Sequence, residues 1–316
     1  MSAPRHGPAP VESVARLVGA TPLVRLRRIG ADLPGVRIYA KCEFMNPGGS
    51  VKDRPALRMI DAALASGRLG PGKTLVDSTS GNTGVAYSWI CAALGLSCAL
   101  VMPGNVSAAR RRIARAYGAE LIFSDPLEGS DGAIRKVREL VAAEPGRWFY
   151  PDQYGNEENP RAHELGTAVE IAEALDGRVA ALVAGIGTGG TVMGASRGLR
   201  ALAPGVRCFA VEPAEPLHGL EGLKHMASSI VPPIYREAEL DGKLPVATAD
   251  GWAMAERLGR EEGLRVGHSA GAAVAGALEI ARRMAAAGAA GNVVTVLPDR
   301  ADRYFEPRRW ERRMAW

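Results

Sequence analysis

Short apolar runs alternate along this chain with longer segments whose apolar residues recur every three or four positions. The runs at 74–77, 97–102, 121–123, 148–150, 179–184, 207–212 and 292–297 read as strands. Between them, helical spacing predicts helices over 56–64, 85–94, about 107–117, 133–143, 251–262, and a long alanine-rich one ending near 287. Nearer the N-terminus, a loose or helical arm (1–18) precedes short strands at 21–24 and 36–41. Strand–helix alternation of this kind predicts an α/β fold with mostly parallel, doubly wound sheets. The stretch 213–248 has little periodicity and several prolines, and a polar loop at 151–161 opens the helix after it.

The first helix carries the oddest residue. Lys52 follows an Asn-Pro-Gly-Gly-Ser turn (46–50), where a helix N-terminus disfavours a cation. Ser50 is placed to act as N-cap and Asp53 as its N3 partner, while Pro55 sits early enough to be tolerated. Leu57, Ile60 and Leu64, with Met59 and Ala63 beside them, are expected to face a sheet. Three Gly/Ser/Thr turns, at 78–84, 185–191 and 267–271, are each expected to join a strand to a helix. Such turns present N–H groups that bind anions, and ligands of open α/β sheets lie at the carboxyl ends of strands.

Two chemistries compete for these turns. Gly185, Gly187 and Gly190 fit G-x-G-x-x-G, and Glu212 lies where a dinucleotide fold places its ribose acid, so a nicotinamide-dependent oxidoreductase is one reading. Thr188 and Thr191 favour another, a terminal phosphate held directly by hydroxyls. A phosphate monoester near a lysine at a helix mouth matches pyridoxal 5'-phosphate, with its aldehyde on Lys52.

Composition narrows the field. With 316 residues the chain can bury a large core, as two domains or one large unit; 47% hydrophobic and 23% charged residues are ordinary for a globular protein. A net charge of +5, without a basic groove interleaved with aromatics, disfavours nucleic acid. Cys42, Cys91, Cys98 and Cys208 have neither metal-ligand nor disulfide spacing, so reduced thiols in a cytoplasmic protein are expected. Neither a signal peptide nor an apolar run of about 20 residues is visible, so no membrane association is expected. His218, His225 and His268 lack metal spacing, and no metal is expected; Asp299 and Asp302 read as turn formers.

Taken together, 21–24 (Thr-Pro-Leu-Val), 46–54 (Asn-Pro-Gly-Gly-Ser-Val-Lys-Asp-Arg), 79–84 (Thr-Ser-Gly-Asn-Thr-Gly), Gln153, 187–191 (Gly-Thr-Gly-Gly-Thr) and 266–272 (Val-Gly-His-Ser-Ala-Gly-Ala) resemble the cysteine synthase / cystathionine β-synthase family of fold type II pyridoxal-phosphate enzymes. The likeness spans nearly the whole chain, in the family's order, and is similar to the cysteine synthase B branch. It implies a tryptophan synthase β-like fold of two α/β domains. A smaller one (46–156) would carry the substrate-carboxylate loop, and a larger one (1–45 with 157–316) the phosphate loop. Lys52 would hold the cofactor as a Schiff base and then move the α-proton. Asn82 would bond the ring oxygen, Gly187, Thr188, Gly189, Gly190 and Thr191 the phosphate, and Ser269 the pyridine nitrogen. Thr79, Ser80, Gly81, Thr83 and Gln153 would hold the substrate carboxylate.

The implied reaction replaces the β-substituent of an activated serine, O-acetylserine or O-phosphoserine, with a sulfur nucleophile to give L-cysteine. A neutral serine at the pyridine nitrogen weakens the electron sink and suits β-elimination. Homocysteine or an amine as nucleophile, as in cystathionine β-synthase or other β-substituted alanine synthases, is the nearest alternative. The stretch 212–235 resembles the family's substrate lid, with Gly219 and Gly222 as hinges and Lys224 facing an anionic leaving group or nucleophile. The chain departs from the family at 166–171 (Gly-Thr-Ala-Val-Glu-Ile) and after Tyr304, where a basic and aromatic tail begins. That tail is expected to meet a partner subunit in a homodimer.

Overall fold

A computed structural model describes residues 10–79, 81–106 and 108–304. The strands are β1 (Leu23–Arg25), β2 (Val36–Cys42), β3 (Thr74–Ser78), β4 (Ser97–Pro103), β5 (Glu120–Ser124), β6 (Trp148–Phe149), β7 (Ala181–Gly185), β8 (Arg207–Pro213), β9 (Gly242–Val246) and β10 (Gly291–Leu297). The helices are α1 (Asp53–Ala65), α2 (Asn82–Leu94), α3 (Ala108–Ala116), α4 (Gly129–Ala143), α5 (Glu158–Ala162), α6 (Ala168–Ala174), α7 (Gly190–Leu202), α8 (Thr248–Glu262) and α9 (His268–Ala286).

Two sheets result. One has six strands in the order β1-β2-β10-β7-β8-β9, the other four in the order β5-β4-β3-β6. All pairings are parallel except β1 with β2, so the α/β fold expected from the alternation is observed. Neighbouring residues of one strand feed opposite layers. Val183 and Val293 pack with Met254 of α8 and Val274 of α9, whereas Leu182 and Val294 pack with Ile171 of α6 and Leu199 of α7. Helices therefore cover both faces, which is why these strands read as continuous apolar runs. The smaller sheet repeats the design. Leu75 and Leu100 face α1 and α2, while Val76 and Val101 face Ala133 and Val137 of α4. Ala15, in a 3-10 turn at Val14–Leu17, joins the first of these clusters.

Several local expectations are corrected. Ser50 does not cap α1: its hydroxyl accepts the Lys52 N–H, and Asp53 reaches back to the Gly48 N–H instead of forming a capping box. The buried face of α1 is Ala56, Met59, Ile60 and Ala63, packed against α5 and α2; Leu57 is only partly buried and Leu64 is exposed. The turn 267–271 joins helix to helix, with only an isolated bridge at Val266 before it. The aperiodic stretch hides β9, an edge strand holding Pro245, which a sheet edge tolerates. All four cysteines are free and buried. No helix of the described residues is long and apolar enough to cross a membrane.

Candidate active site

The carboxyl ends of β3, β7 and β10 face one cavity of about 590 Å³ and a small annex of about 40 Å³. Lys52 lines both. Its turn is stitched to the end of β10 by the Val51 N–H, which donates to the Pro298 carbonyl at 2.8 Å. Two residues further on, Arg54 anchors the start of α1 in a buried charge cluster. Its guanidinium donates to Glu43 at 2.7 and 2.9 Å and to Glu170 at 2.7 and 2.6 Å. Lys41 donates to the same Glu170. Among the described residues, the Lys52 ammonium has no hydrogen-bond or ion-pair partner. Burial pushes its pKa down, and the charge of Asp299 opposes that.

The loop after β7 is a cradle of free donors. The N–H groups of Gly187, Thr188, Gly189 and Thr191 meet no acceptor among the described residues, and Gly190 donates only to the Thr188 hydroxyl, at 3.3 Å. Gly189 holds φ +90°, a left-handed conformation that keeps the loop open beside Tyr235. A Cβ on Gly190 would come within 1.9 Å of Asn159 Oδ1. Asn159 matters here, since its amide donates to Thr188 Oγ1 and to the Gln153 carbonyl, tying two loops together. Beneath the cradle, His163 is wholly buried in a π-turn, His163–Thr167. Its Nε2 lies 3.3 Å from Thr191 Oγ1 and its Nδ1 2.9 Å from Thr167 Oγ1. Burial, then Arg54 and Lys52, hold that imidazole neutral.

Across the cavity, Thr79, Gly81, Asn82 and Thr83 open α2. The N–H groups of Asn82 and Thr83 point to no protein acceptor among the described residues. Thr83 Oγ1 donates to Gln153 Oε1 at 2.8 Å, and both side chains are buried, so Gln153 is no ordinary loop residue. Ser80 and the tail over 305–316 lie outside the described residues. Ser269, at the start of α9, lines the annex, and its hydroxyl bonds no described residue. Lys224 lines the main cavity with its Nζ 4.8 Å over the Tyr154 ring. Nearby, Arg110 of α3 pairs with Glu221, joining the smaller sheet's layer to the stretch after β8.

Sequence reasoning missed three residues. Asp299, expected to form a turn, is only 1% exposed and accepts from Asn82 Nδ2 at 2.6 Å and from the Tyr304 hydroxyl. Arg303 donates to Asn82 Oδ1 at 2.7 Å and to the Gly48 carbonyl. His163 had no pattern to mark it, since its partner Thr191 lies 28 residues away. Glu212, the acid of the dinucleotide reading, is buried, engaged by the Met226 N–H and Lys243, and lines neither the cavity nor its annex. No group of three or more His, Cys, Asp or Glu side chains among the described residues is arranged to hold a metal ion.

A family model described as pyridoxal-phosphate dependent enzyme matches residues 14–299. The cysteine synthase of Aquifex aeolicus is 48% identical over 296 residues, 93% of this chain and 90% of that protein. The crystal structure of a cysteine synthase from Entamoeba histolytica superposes with a TM-score of 0.89 at 35% identity, covering 96% of this chain and 91% of that one. An O-acetylserine dependent cystathionine β-synthase from Helicobacter pylori superposes with a TM-score of 0.85 at 34% identity, covering 94% and 98%. With a lysine, a donor-rich loop and a serine meeting at strand ends in the family's own order, the chain belongs to the pyridoxal-phosphate-dependent enzymes.

Proposed function

We propose that this protein is a cysteine synthase, replacing the β-substituent of an activated L-serine, O-acetylserine first, with a sulfur nucleophile. One observation carries the reading. Among the described residues, a lysine without a hydrogen-bond or ion-pair partner faces a loop at the mouth of α7 whose Gly187, Thr188, Gly189 and Thr191 N–H groups meet no acceptor. A phosphate monoester bearing an aldehyde fits that pair. Free N–H groups at a helix start take the phosphate, and a desolvated lysine that lines the cavity is readily neutral and nucleophilic. Pyridoxal phosphate held there supplies an electron sink that lets the α-proton and the β-substituent leave.

The chain's own residues supply the rest. Gly187, Thr188, Gly189, Gly190 and Thr191 take the phosphate, and the neutral His163 orients the Thr191 hydroxyl. Asn82 and Ser269 meet the ring oxygen and nitrogen. Thr79, Ser80, Gly81 and Thr83 receive the substrate carboxylate, with Gln153 fixing Thr83 from behind. Lys52 takes and returns the α-proton, since burial keeps its pKa low enough to release it. Lys224 and the stretch around it close over the leaving group. We divide the chain into a smaller domain (46–156) and a larger one (1–45 with 157–316), the arm reaching across to the smaller sheet. A homodimer working in the cytoplasm completes the reading, on the family resemblance.

The Helicobacter pylori neighbour favours one second reading, cystathionine formation from O-acetylserine and homocysteine. A substrate matrix separates the two. O-acetylserine, O-phosphoserine and serine are each combined with sulfide, thiosulfate and homocysteine, and products are quantified by mass. Cysteine from O-acetylserine and sulfide is expected at the highest kcat/KM; a higher value for cystathionine would replace the first reading with the second. Lys224→Ala is expected to lower O-phosphoserine turnover more than O-acetylserine turnover. The wild type is expected to be yellow and Lys52→Ala not. A colourless wild type without pyridoxal phosphate by mass overturns both readings.

A further inference from the structure

Asp299 follows β10 and is held from both sides of the site. Its carbonyl accepts the Gly267 N–H at 3.1 Å, at the start of α9, and its backbone bridges to Ser50, two residues before Lys52. Its carboxylate turns into the annex that Lys52, Asn82 and Ser269 also line. Oδ2 takes the Asn82 and Tyr304 donors, while Oδ1 is buried with no partner among the described residues.

Two consequences follow from this geometry. Asn82 is gripped at both ends of its amide, Nδ2 by Asp299 and Oδ1 by Arg303. Flipping the amide would turn its oxygen to the carboxylate and its NH2 to the guanidinium, so the orientation is fixed. An amide NH2 has two hydrogens, and Asp299 uses one; the other is left for the cavity. The second consequence is electrostatic. Asp299 is the carboxylate whose charge opposes the effect of burial at Lys52. The other charged or titratable groups that face Asp299 are Arg110 from α3, His268 from α9, and Arg303 and Tyr304 beyond β10. Of these, only the cations oppose its field at Lys52.

We propose that Asp299 is a positioning residue of the site, fixing the Asn82 amide with a donor toward the cavity and holding a proton at the Lys52 nitrogen. The inference rests on the reading of this cavity as a pyridoxal-phosphate site. A carboxylate with an unpaired oxygen, lining the same annex as the Lys52 nitrogen, favours the protonated form of that nitrogen.

The test is a spectral titration of the holoenzyme, following the visible band of the bound cofactor with pH. Asp299→Asn keeps an oxygen for Asn82 and Tyr304 but removes the charge. It is expected to retain the cofactor and to lower the pH at which the band fades by about 1 unit or more. Asp299→Glu, which restores the charge, is expected to return the midpoint toward wild type. Arg303→Met acts on the same carboxylate from the other side. It removes an opposing cation and is expected to raise the midpoint, which keeps the test open if Asp299→Asn does not fold. A cofactor-loaded Asp299→Asn with the wild-type midpoint overturns the inference, as does an Arg303→Met that lowers it. A wild type that binds no cofactor overturns the functional reading itself.

Discussion

Glu170 on α6 is the outer carboxylate of a four-charge cluster, and its removal has a calculable effect. Lys41 and Arg54 balance Glu43 and Glu170, with Lys41 and Glu43 almost wholly buried. Glu170→Gln leaves one buried cation without a counter-charge, a change of about 3–5 kcal/mol for well-buried pairs. A second route gives a similar size. Hydrogen bonds and charge from Arg54 and Lys41 outweigh burial and pull the Glu170 pKa from 4.5 to about 2. About 2.5 units correspond to about 3 kcal/mol, reduced to about 2 because one edge of the carboxylate meets solvent. The expected loss is therefore about 2–4 kcal/mol near pH 7. Its sign with pH follows from a depressed carboxylate pKa. The contribution is present above about 4.5 and lost as pH falls through about 2, so less than half remains at pH 3. Urea unfolding at pH 7 and pH 3 measures this. Replacing both partners, Lys41→Met with Glu170→Leu, is expected to recover much of the loss. A deficit below about 1 kcal/mol, or one equal at both pH values, would refute the reasoning.

Two further outcomes are expected. Gly190→Ala forces Asn159 off the Thr188 hydroxyl and should weaken pyridoxal-phosphate binding by about tenfold or more, about 1.4 kcal/mol; titration of the cofactor into stripped enzyme reads this, and unchanged affinity would contradict the cradle. Asp77, wholly buried at the end of β3, has its carboxyl pushed up to about 7 by burial. Here the folded form holds the proton more tightly than the unfolded chain. Its contribution is full below about pH 4 and declines as pH rises through about 7, by up to about 4 kcal/mol. Asp77→Asn should lack this decline, and parallel stability curves from pH 4 to 8 would show the assignment to be wrong.

What could be read in the sequence was what repeats locally. Buried parallel strands announce themselves as apolar runs, so β3, β4, β7, β8 and β10 were expected close to their observed bounds. The turns holding Lys52, Asn82 and Thr188 were visible as small residues between periodic segments. Pairings across long sequence separations were not. Ser50 and Asp53 satisfied the spacing of a capping box, yet each found a better partner in its own tight turn. Leu64 belonged to the periodic stripe of α1, yet with α5 and α2 packed on that helix it stays exposed. The strand β9 carries a proline and little periodicity, and only its neighbour β8 makes it a strand. Asp299 looked like a turn former because its turn is real; its burial depends on Asn82, 217 residues earlier.

The distribution of unmet hydrogen bonds argues most directly for where chemistry occurs. Buried polar groups in folded proteins are nearly all paired, because an unpaired one forfeits about 1–3 kcal/mol. The backbone ladders inside both sheets meet that demand internally, although buried side-chain atoms of Asp77, Ser124, Trp148 and Thr295 have no partner among the described residues. Among the described residues, the N–H groups of Gly187, Thr188, Gly189 and Thr191, those opening α2, the Ser269 hydroxyl and the Lys52 ammonium find no partner, and all of them lie around the main cavity and its annex. Placing them there runs against stability, and the cluster of Lys41, Glu43, Arg54 and Glu170 anchors the start of α1 against it. A ligand with a phosphate, a hydrogen-bonding ring and a carbonyl carbon would satisfy the open donors and occupy the lysine at once. On this view the charge cluster and the open site are one design, the first overcoming the instability that the second requires.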